Sequence, residues 1–222
     1  GANLVTSVLN GASFSSQPQT AACDVILVQP PVAPGGIASI FGNNLADTTK
    51  QADSLPLPTE MGGVKVKFNG IPAPLFYVSP KQLNVQVPFG LTGYSASMVI
   101  ERQSSSGATV STAFPVGVAN GAPGIFTWDG TGAGPGVIVH GDFTPVNDAY
   151  PAAPGETLAA FVTGLGTVDK PITDGAAAEF ASQGSVSVAG VSSAGQTVTI
   201  FLNGVPYSYT TVDGDLIADV VT

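Results

Sequence analysis

The sequence predicts an all-β protein of two tandem β-sandwiches behind an N-terminal strand segment. Three observations predict it. Short apolar runs alternate with polar residues at period two and are bounded by Gly, Pro, Asn and Asp at close intervals. Helical periodicity is missing, and Ala176-Ala177-Ala178-Glu179-Phe180 would make one turn at most. A block also recurs: Ala33-Pro34-Gly35 returns as Ala153-Pro154-Gly155 at an offset of 120, with Phe41 matched by Phe161 and Leu45 by Leu165. Asn69-Gly70-Ile71-Pro72 returns as Asn203-Gly204-Val205-Pro206 at an offset of 134, so the second copy holds 14 more residues between the two landmarks. Repetition of this kind divides the 222 residues into two modules.

Residues 1–30 form the N-terminal segment. Leu4 to Leu9 is strand-like, and Asp24-Val25-Ile26-Leu27-Val28 is a short apolar run that ends at Pro30-Pro31. Residues 31–119 are the first module. Pro34-Gly35 turns the chain into Ile37-Ala38-Ser39-Ile40-Phe41, and a polar loop leads to the central stretch Val64 to Pro88. There Val64-Lys65-Val66-Lys67-Phe68 alternates cleanly, and Asn69-Gly70 supplies two residues that accept the positive φ of a type I′ hairpin. Leu75 to Val78 returns, Ser79-Pro80 breaks the run, and Leu83 to Val87 alternates again. Ser97 to Arg102 and Ala108 to Val118 close the module. Residues 120–151 are a Gly/Pro-rich bridge. Residues 152–222 are the second module, whose hairpin turns at Asn203-Gly204. Pro72 and Pro206 are expected at an edge or a bulge, where no ladder N–H is needed.

Charged residues are only 9% of the chain, against roughly 25% in an average soluble domain. Ser, Thr, Asn and Gln replace them, a surface suited to exported β-proteins and to subunits packed on one another. The net charge of −9, with six Lys and Arg in all, leaves no basic stripe for phosphates and excludes nucleic acid as a partner. No run of 18 apolar residues occurs, so no membrane span is expected. Cys23 is the sole cysteine. It is expected as a small buried apolar residue, with an intermolecular bridge in an oxidising compartment as the alternative. The Gly-Ala start without Met suits a mature product whose signal peptide has been removed, and a cloning scar reads the same way.

Several stretches together carry a family resemblance. They are Val8-Leu9-Asn10-Gly11-Ala12-Ser13-Phe14, Val32-Ala33-Pro34-Gly35, Ser39 to Ala46, Leu57-Pro58-Thr59, Gly62-Gly63-Val64, Asn69 to Pro80 and Ala122-Pro123-Gly124-Ile125-Phe126. The second half adds Thr163-Gly164-Leu165-Gly166 and Asp174-Gly175-Ala176-Ala177-Ala178. The chain thereby resembles the paired C-terminal module of large secreted Acidobacteria (Solibacter-type) proteins. The resemblance covers residues 4 to 180 best. It implies that both sandwiches are Ig-like, of the IPT/TIG type, and lie outside the cytoplasm, with no established chemistry and no catalytic residues. In that family a further strand pair usually follows the second module. Here the alignment of Asn203 on Asn69 ends the chain at Thr222, over Pro88, so the second sandwich is expected to lack one or two strands.

Candidate chemistry is sparse. His140 is the sole histidine, and no Gly-x-Ser-x-Gly elbow or Ser-His-Asp spacing accompanies it, so a strand-end role is expected. One His and one Cys cannot supply a zinc site. Oxygen ligands for calcium exist at Asp213, Asp215 and Asp219, and more scattered at Asp129, Asp142 and Asp148, but neither set matches a twelve-residue loop. Asp213-Gly214 reads first as a hairpin turn. No cofactor is therefore expected, with calcium at Asp213, Asp215 and Asp219 as the alternative. Glu60, Glu101, Glu156 and Glu179 occupy loop-like positions without a visible partner, which gives no basis for glycosidase chemistry. Trp128 is expected to pin two modules together rather than to stack on a sugar.

The expected function is a non-enzymatic extracellular structural protein, a self-assembling subunit of a surface layer, tube or filament. Its partners would be copies of itself, and assembly would run through strand donation by Leu4, Val5, Val8 and Leu9, or by another edge strand, into a neighbour's second module. Internal filling of the gap by the 14 extra residues, including Ser185-Val186-Ser187-Val188, is the alternative to donation. Asn69, Gly70, Asn203 and Gly204 are the structural turns. The alternative is a cell-surface adhesion or carbohydrate-binding module that recognises polysaccharide through Trp128 and loop tyrosines.

Overall fold

Alternation of apolar and polar side chains decides the architecture, because each strand can bury only one of its faces. In β4 (Val64–Phe68) the buried residues are Val64, Val66 and Phe68. In β7 (Gln82–Gln86) they are Leu83 and Val85. The computed structural model describes residues 4–15, 30–104, 107–111, 113–168, 172–177, 197–202 and 205–210. All named elements among them are β-strands.

Two five-stranded sheets make up the first unit. One is ordered β1-β2-β7-β6-β3, with β1 at Leu4–Asn10, β2 at Ile37–Asn43, β6 at Leu75–Val78 and β3 at Lys50–Gln51. The other is ordered β10-β8-β4-β5, with β10 at Phe114–Gly117, β8 at Ser95–Ser104 and β5 at Ile71–Ala73, while β9 (Gly107–Val110) also pairs with β8. Every ladder is antiparallel. One isolated parallel bridge joins Val32 to Val118. Ile40, Leu75 and Leu83 from the first sheet and Val66, Phe68, Met98 and Ile100 from the second belong to one apolar core, all fully buried. The arrangement is therefore sandwich-like.

The N-terminal segment is not spare. Leu4 to Asn10 pairs with Asn43 to Ala38 of β2, with a bulge between Val5 and Ser7, and Val8 is buried in the core. Leu4, Val5, Val8 and Leu9 thus belong to a strand of their own chain's sheet.

Phe68 pairs with Ile71 across a two-residue loop in which Asn69 has φ 48° and Gly70 φ 82°. The Asn69 side-chain oxygen accepts the Ser97 N–H at 2.8 Å, tying the turn to the neighbouring strand. Pro72 lies in β5, at the end of its sheet, where an absent N–H costs nothing. In the second half β15 (Thr197–Leu202) and β16 (Val205–Thr210) pair antiparallel, with Leu202 opposite Val205. Asn203, Gly204, Cys23, Glu179, the stretch from Asp213 to Asp219 and the tail beyond fall outside the described residues.

Between these units the chain makes short ladders: β11 (Gly124–Ile125) with β14 (Val162–Thr163), and β12 (Ile138–Val139) with β13 (Ala159–Ala160). They are anchored to the first sandwich by a clasp. Asn10, 7% exposed, donates Nδ2–H to Ala122 O at 2.7 Å, and its Oδ1 accepts the N–H groups of Ala12 and Ser13. Ile37 N–H donates to Thr163 Oγ1 at 2.8 Å. Gly36 and Gly164 approach so closely that a Cβ on Gly36 would lie 2.9 Å from Gly164 Cα. The segment around Asp174 docks as well: its carboxylate accepts the Phe89 N–H at 2.8 Å, and Gly175 N–H donates to Gln86 Oε1 at 2.6 Å.

Candidate functional site

The chain's one histidine sits, among the described residues, in a well-developed polar cluster outside the sandwich. β12 carries Val139 into the interior next to a β13 partner, and the chain then turns at His140 through Gly141-Asp142-Phe143-Thr144. Thr144 O accepts the His140 N–H at 2.9 Å, and His140 O accepts the Phe143 N–H at 2.9 Å. These bonds close a tight reversal with Phe143 at φ 65°. The imidazole points inward and is only 4% exposed.

Both ring nitrogens have partners. Nδ1 lies 2.5 Å from Glu156 Oε1, and Nε2 lies 3.1 Å from Tyr150 O. The Tyr150 ring stacks at 4.2 Å between centroids and 40° between planes. A carboxylate and a carbonyl accept, so the imidazolium, with its two N–H groups, satisfies both contacts at once. The bond to Glu156 is the largest reason that His140 is held above its ordinary 6.5, against the opposing effect of burial. Glu156 is in turn held below its ordinary 4.5, first by the Ala153 N–H that donates to Oε2 at 2.9 Å, then by His140. Charge on the ring is further favoured by the Tyr150 face. In the protonated ring both N–H groups are engaged, one by Glu156 and one by Tyr150. The cluster is an electrostatic fastener between the loops at Gly141–Tyr150 and Ala153–Glu156.

The other sequence candidates are dispersed. Asp142 Oδ1 accepts the hydroxyl and the N–H of Thr144 at 2.6 and 3.0 Å, which lowers its pKa. Asp129 Oδ1 accepts the N–H and hydroxyl of Thr131, with the same result. Asp148 lies in the exposed turn between Asn147 and Tyr150. Among the described residues no group of three or more His, Cys, Asp or Glu could hold a metal ion. Glu101 is a strand residue of β8 rather than a loop residue, ion-paired with Lys67 at 2.7 Å, and Glu60 pairs with Lys65 at 3.0 Å. Trp128 is 52% exposed on the loop between Thr127 and Gly136.

Sequence reasoning missed Glu156 as the partner of His140. A signal existed in the repeat. Gly36 follows the first Pro-Gly turn, and Glu156 stands at the matching place after the second. A residue that breaks an internal repeat marks a position with a different task. Among the described residues no helix is long and apolar enough to cross a membrane. Comparisons with protein-family models, curated proteins and solved structures find no match to this chain.

Proposed function

We propose that the chain is a non-enzymatic, extracellular structural protein, a self-assembling subunit of a surface layer, tube or filament built from Ig-like modules of the IPT/TIG type. The observation that carries this reading is apolar exposure in the second copy of the repeat. Leu45 is fully buried in the first copy, whereas its counterpart Leu165 is 37% exposed, and Phe161 and Val168 beside it are 47% and 37% exposed. Large apolar side chains such as Phe161 and Val168 exposed on a low-charge surface favour association with another copy. The Ig-like assignment draws support from two facing five-stranded antiparallel sheets, β1-β2-β7-β6-β3 and β10-β8-β4-β5 with β9 beside β8, and from a parallel bridge between Val32 and Val118, next to β10. Extracellular placement rests on the low charge and on the resemblance in sequence.

Donation of Leu4 to Leu9 to a neighbour would require breaking their pairing with β2, so the proposed contact runs through the exposed second-half face instead. Sedimentation velocity and electron microscopy of the full chain test the reading. Concentration-dependent polymers that disperse in Phe161→Ser and Leu165→Ser support it. A wild-type chain that stays monomeric from micromolar to millimolar concentration overturns it.

A further inference from the structure

The outer face of the β7-β6-β3 sheet holds a shallow depression of about 330 Å³, lined by Gln51, Phe76, Tyr77, Gln82 and Asn84. A β-bulge makes it. Leu75 pairs with Val85 and Tyr77 with Asn84, so Phe76 is an extra residue on β6. Strict alternation would send Phe76 and Tyr77 to opposite faces. The extra residue instead leaves both half-buried, flanked by fully buried Leu75 and Val78. Re-aiming side chains in this way is a recognised use of bulges beside binding sites.

Register then lays out a row of uncharged polar groups next to these rings. Gln51 is opposite Tyr77, Tyr77 opposite Asn84, and Asn84 opposite Ser39. Asn84 is held in one orientation, because its Oδ1 accepts from Ser39 Oγ at 3.1 Å and from Gln82 Nε2 at 2.9 Å. That leaves Asn84 Nδ2, the Gln51 amide and the Tyr77 hydroxyl without protein partners among the described residues. Amides offer both donor and acceptor to adjacent hydroxyls, and aromatic rings offer a flat apolar face with a polar edge. No lining residue carries a charge.

We propose that this face binds an uncharged oligosaccharide, its ring C–H face against Tyr77 and Phe76 and its hydroxyls on Gln51, Gln82 and Asn84. The site is separate from the exposed second-half face and does not depend on self-assembly. Isothermal titration calorimetry of the full chain with cellohexaose, laminarihexaose and maltohexaose, and with hexagalacturonate as the anionic control, tests it. At least one neutral hexasaccharide binds, Tyr77→Ala weakens it by about tenfold, as loss of a stacked ring allows, and Gln51→Ala weakens it several-fold without touching the core. Trp128→Ala leaves the affinity unchanged. Failure of all three neutral sugars to bind overturns the proposal. So does preference for the anionic sugar, or an affinity that falls in Trp128→Ala but survives both Tyr77→Ala and Gln51→Ala.

Discussion

Residues 33–45 and residues 153–165 share a backbone and differ in what covers it. In both, Pro-Gly sits at the centre of a turn closed by an i to i+3 bond: Gly36 N–H to Ala33 O at 3.0 Å, and Glu156 N–H to Ala153 O at 3.1 Å. Gly35 and Gly155 have φ of 75° and 80°, the type II geometry. Nine residues on, Asn44 and Gly164 both return to positive φ, at 55° and 79°. Between these points the first copy buries Ala38 and Ile40 completely, while Ala159 and Ala160 in the second are exposed. Local sequence therefore sets the turn and the strand, whereas a facing sheet is needed to turn a strand into core. The position after the turn shows the same division of labour. Gly36 is small because Gly164 lies against it, and Glu156 is charged because His140 faces it.

The sharpest test of that difference is a pair of substitutions at equivalent positions. Ile40→Ala should destabilise the chain by about 2–5 kcal/mol, through lost burial and the cavity left behind. Ala160→Ile, on the open copy, should change stability by no more than about 0.5 kcal/mol. Urea denaturation of both variants reads the contrast, and equal effects would show that the second copy has a core of its own.

Next in size is a contrast between two glycines of the second copy. Gly164→Ala forces a side chain into positive φ and places its Cβ 2.1 Å from Ala122 O. A loss of roughly 2–4 kcal/mol is expected in the same unfolding measurement. Gly155→Ala meets nothing within 4 Å, so only the conformational cost of about 1–2 kcal/mol remains. Similar values for the two would mean that the clasp at Ala122 contributes little.

The third test uses pH, since only the second copy carries the His140–Glu156 pair. The folded pKa of His140 is raised, so its stabilisation is complete below pH 6.5 and is lost as pH rises through the raised value. Glu156 is shifted downward, so its contribution is present above pH 4.5 and is lost as pH falls through the depressed value. Thermal melts should therefore be flat between about pH 4.5 and 6.5 and decline on the alkaline side. Glu156→Gln, which removes the largest of the raising causes, should reduce the alkaline decline, and a wild-type melting temperature that rises above pH 6.5 would contradict a raised His140. The smallest expected effect on folding is at Phe161. Phe161→Ser should leave stability within about 0.5 kcal/mol of the parent, by differential scanning calorimetry, because its ring is already half in solvent.

Turn chemistry was the most legible part of the fold. Asn69-Gly70 and the Pro-Gly pairs state their φ requirements in the residues themselves, and the alternation of β4 and β7 states which face is buried. Long-range pairing leaves no such local mark. The apolar stretch at Leu4–Asn10 reads equally well as a spare strand or as an edge of the first sheet, and its pairing with β2 depends on residues some thirty positions away. The fastener at His140 was half legible. A lone histidine after a strand was visible, but its acceptor lies 16 residues on, across a Pro-rich loop. The bulge at Phe76 was hidden for another reason: Leu-Phe-Tyr-Val is aliphatic or aromatic throughout, so no strongly polar side chain reveals where alternation slips.

The clasp has a consequence in time. Asn10 and Ala122 are 112 residues apart, and Ile37 and Thr163 are 126 apart. At a ribosome adding about 5–20 residues per second, Ala122 follows Asn10 by on the order of ten seconds. β2, in contrast, is available to β1 soon after Asn43 has been made. Both strands of the β1-β2 pair therefore exist long before the Asn10 amide can meet the carbonyl it holds. During that interval Asn10 waits with only Ala12 and Ser13 to orient it. The Asx turn that they form is local, so Asn10 Oδ1 can be engaged by its own neighbours before Nδ2 meets Ala122 O.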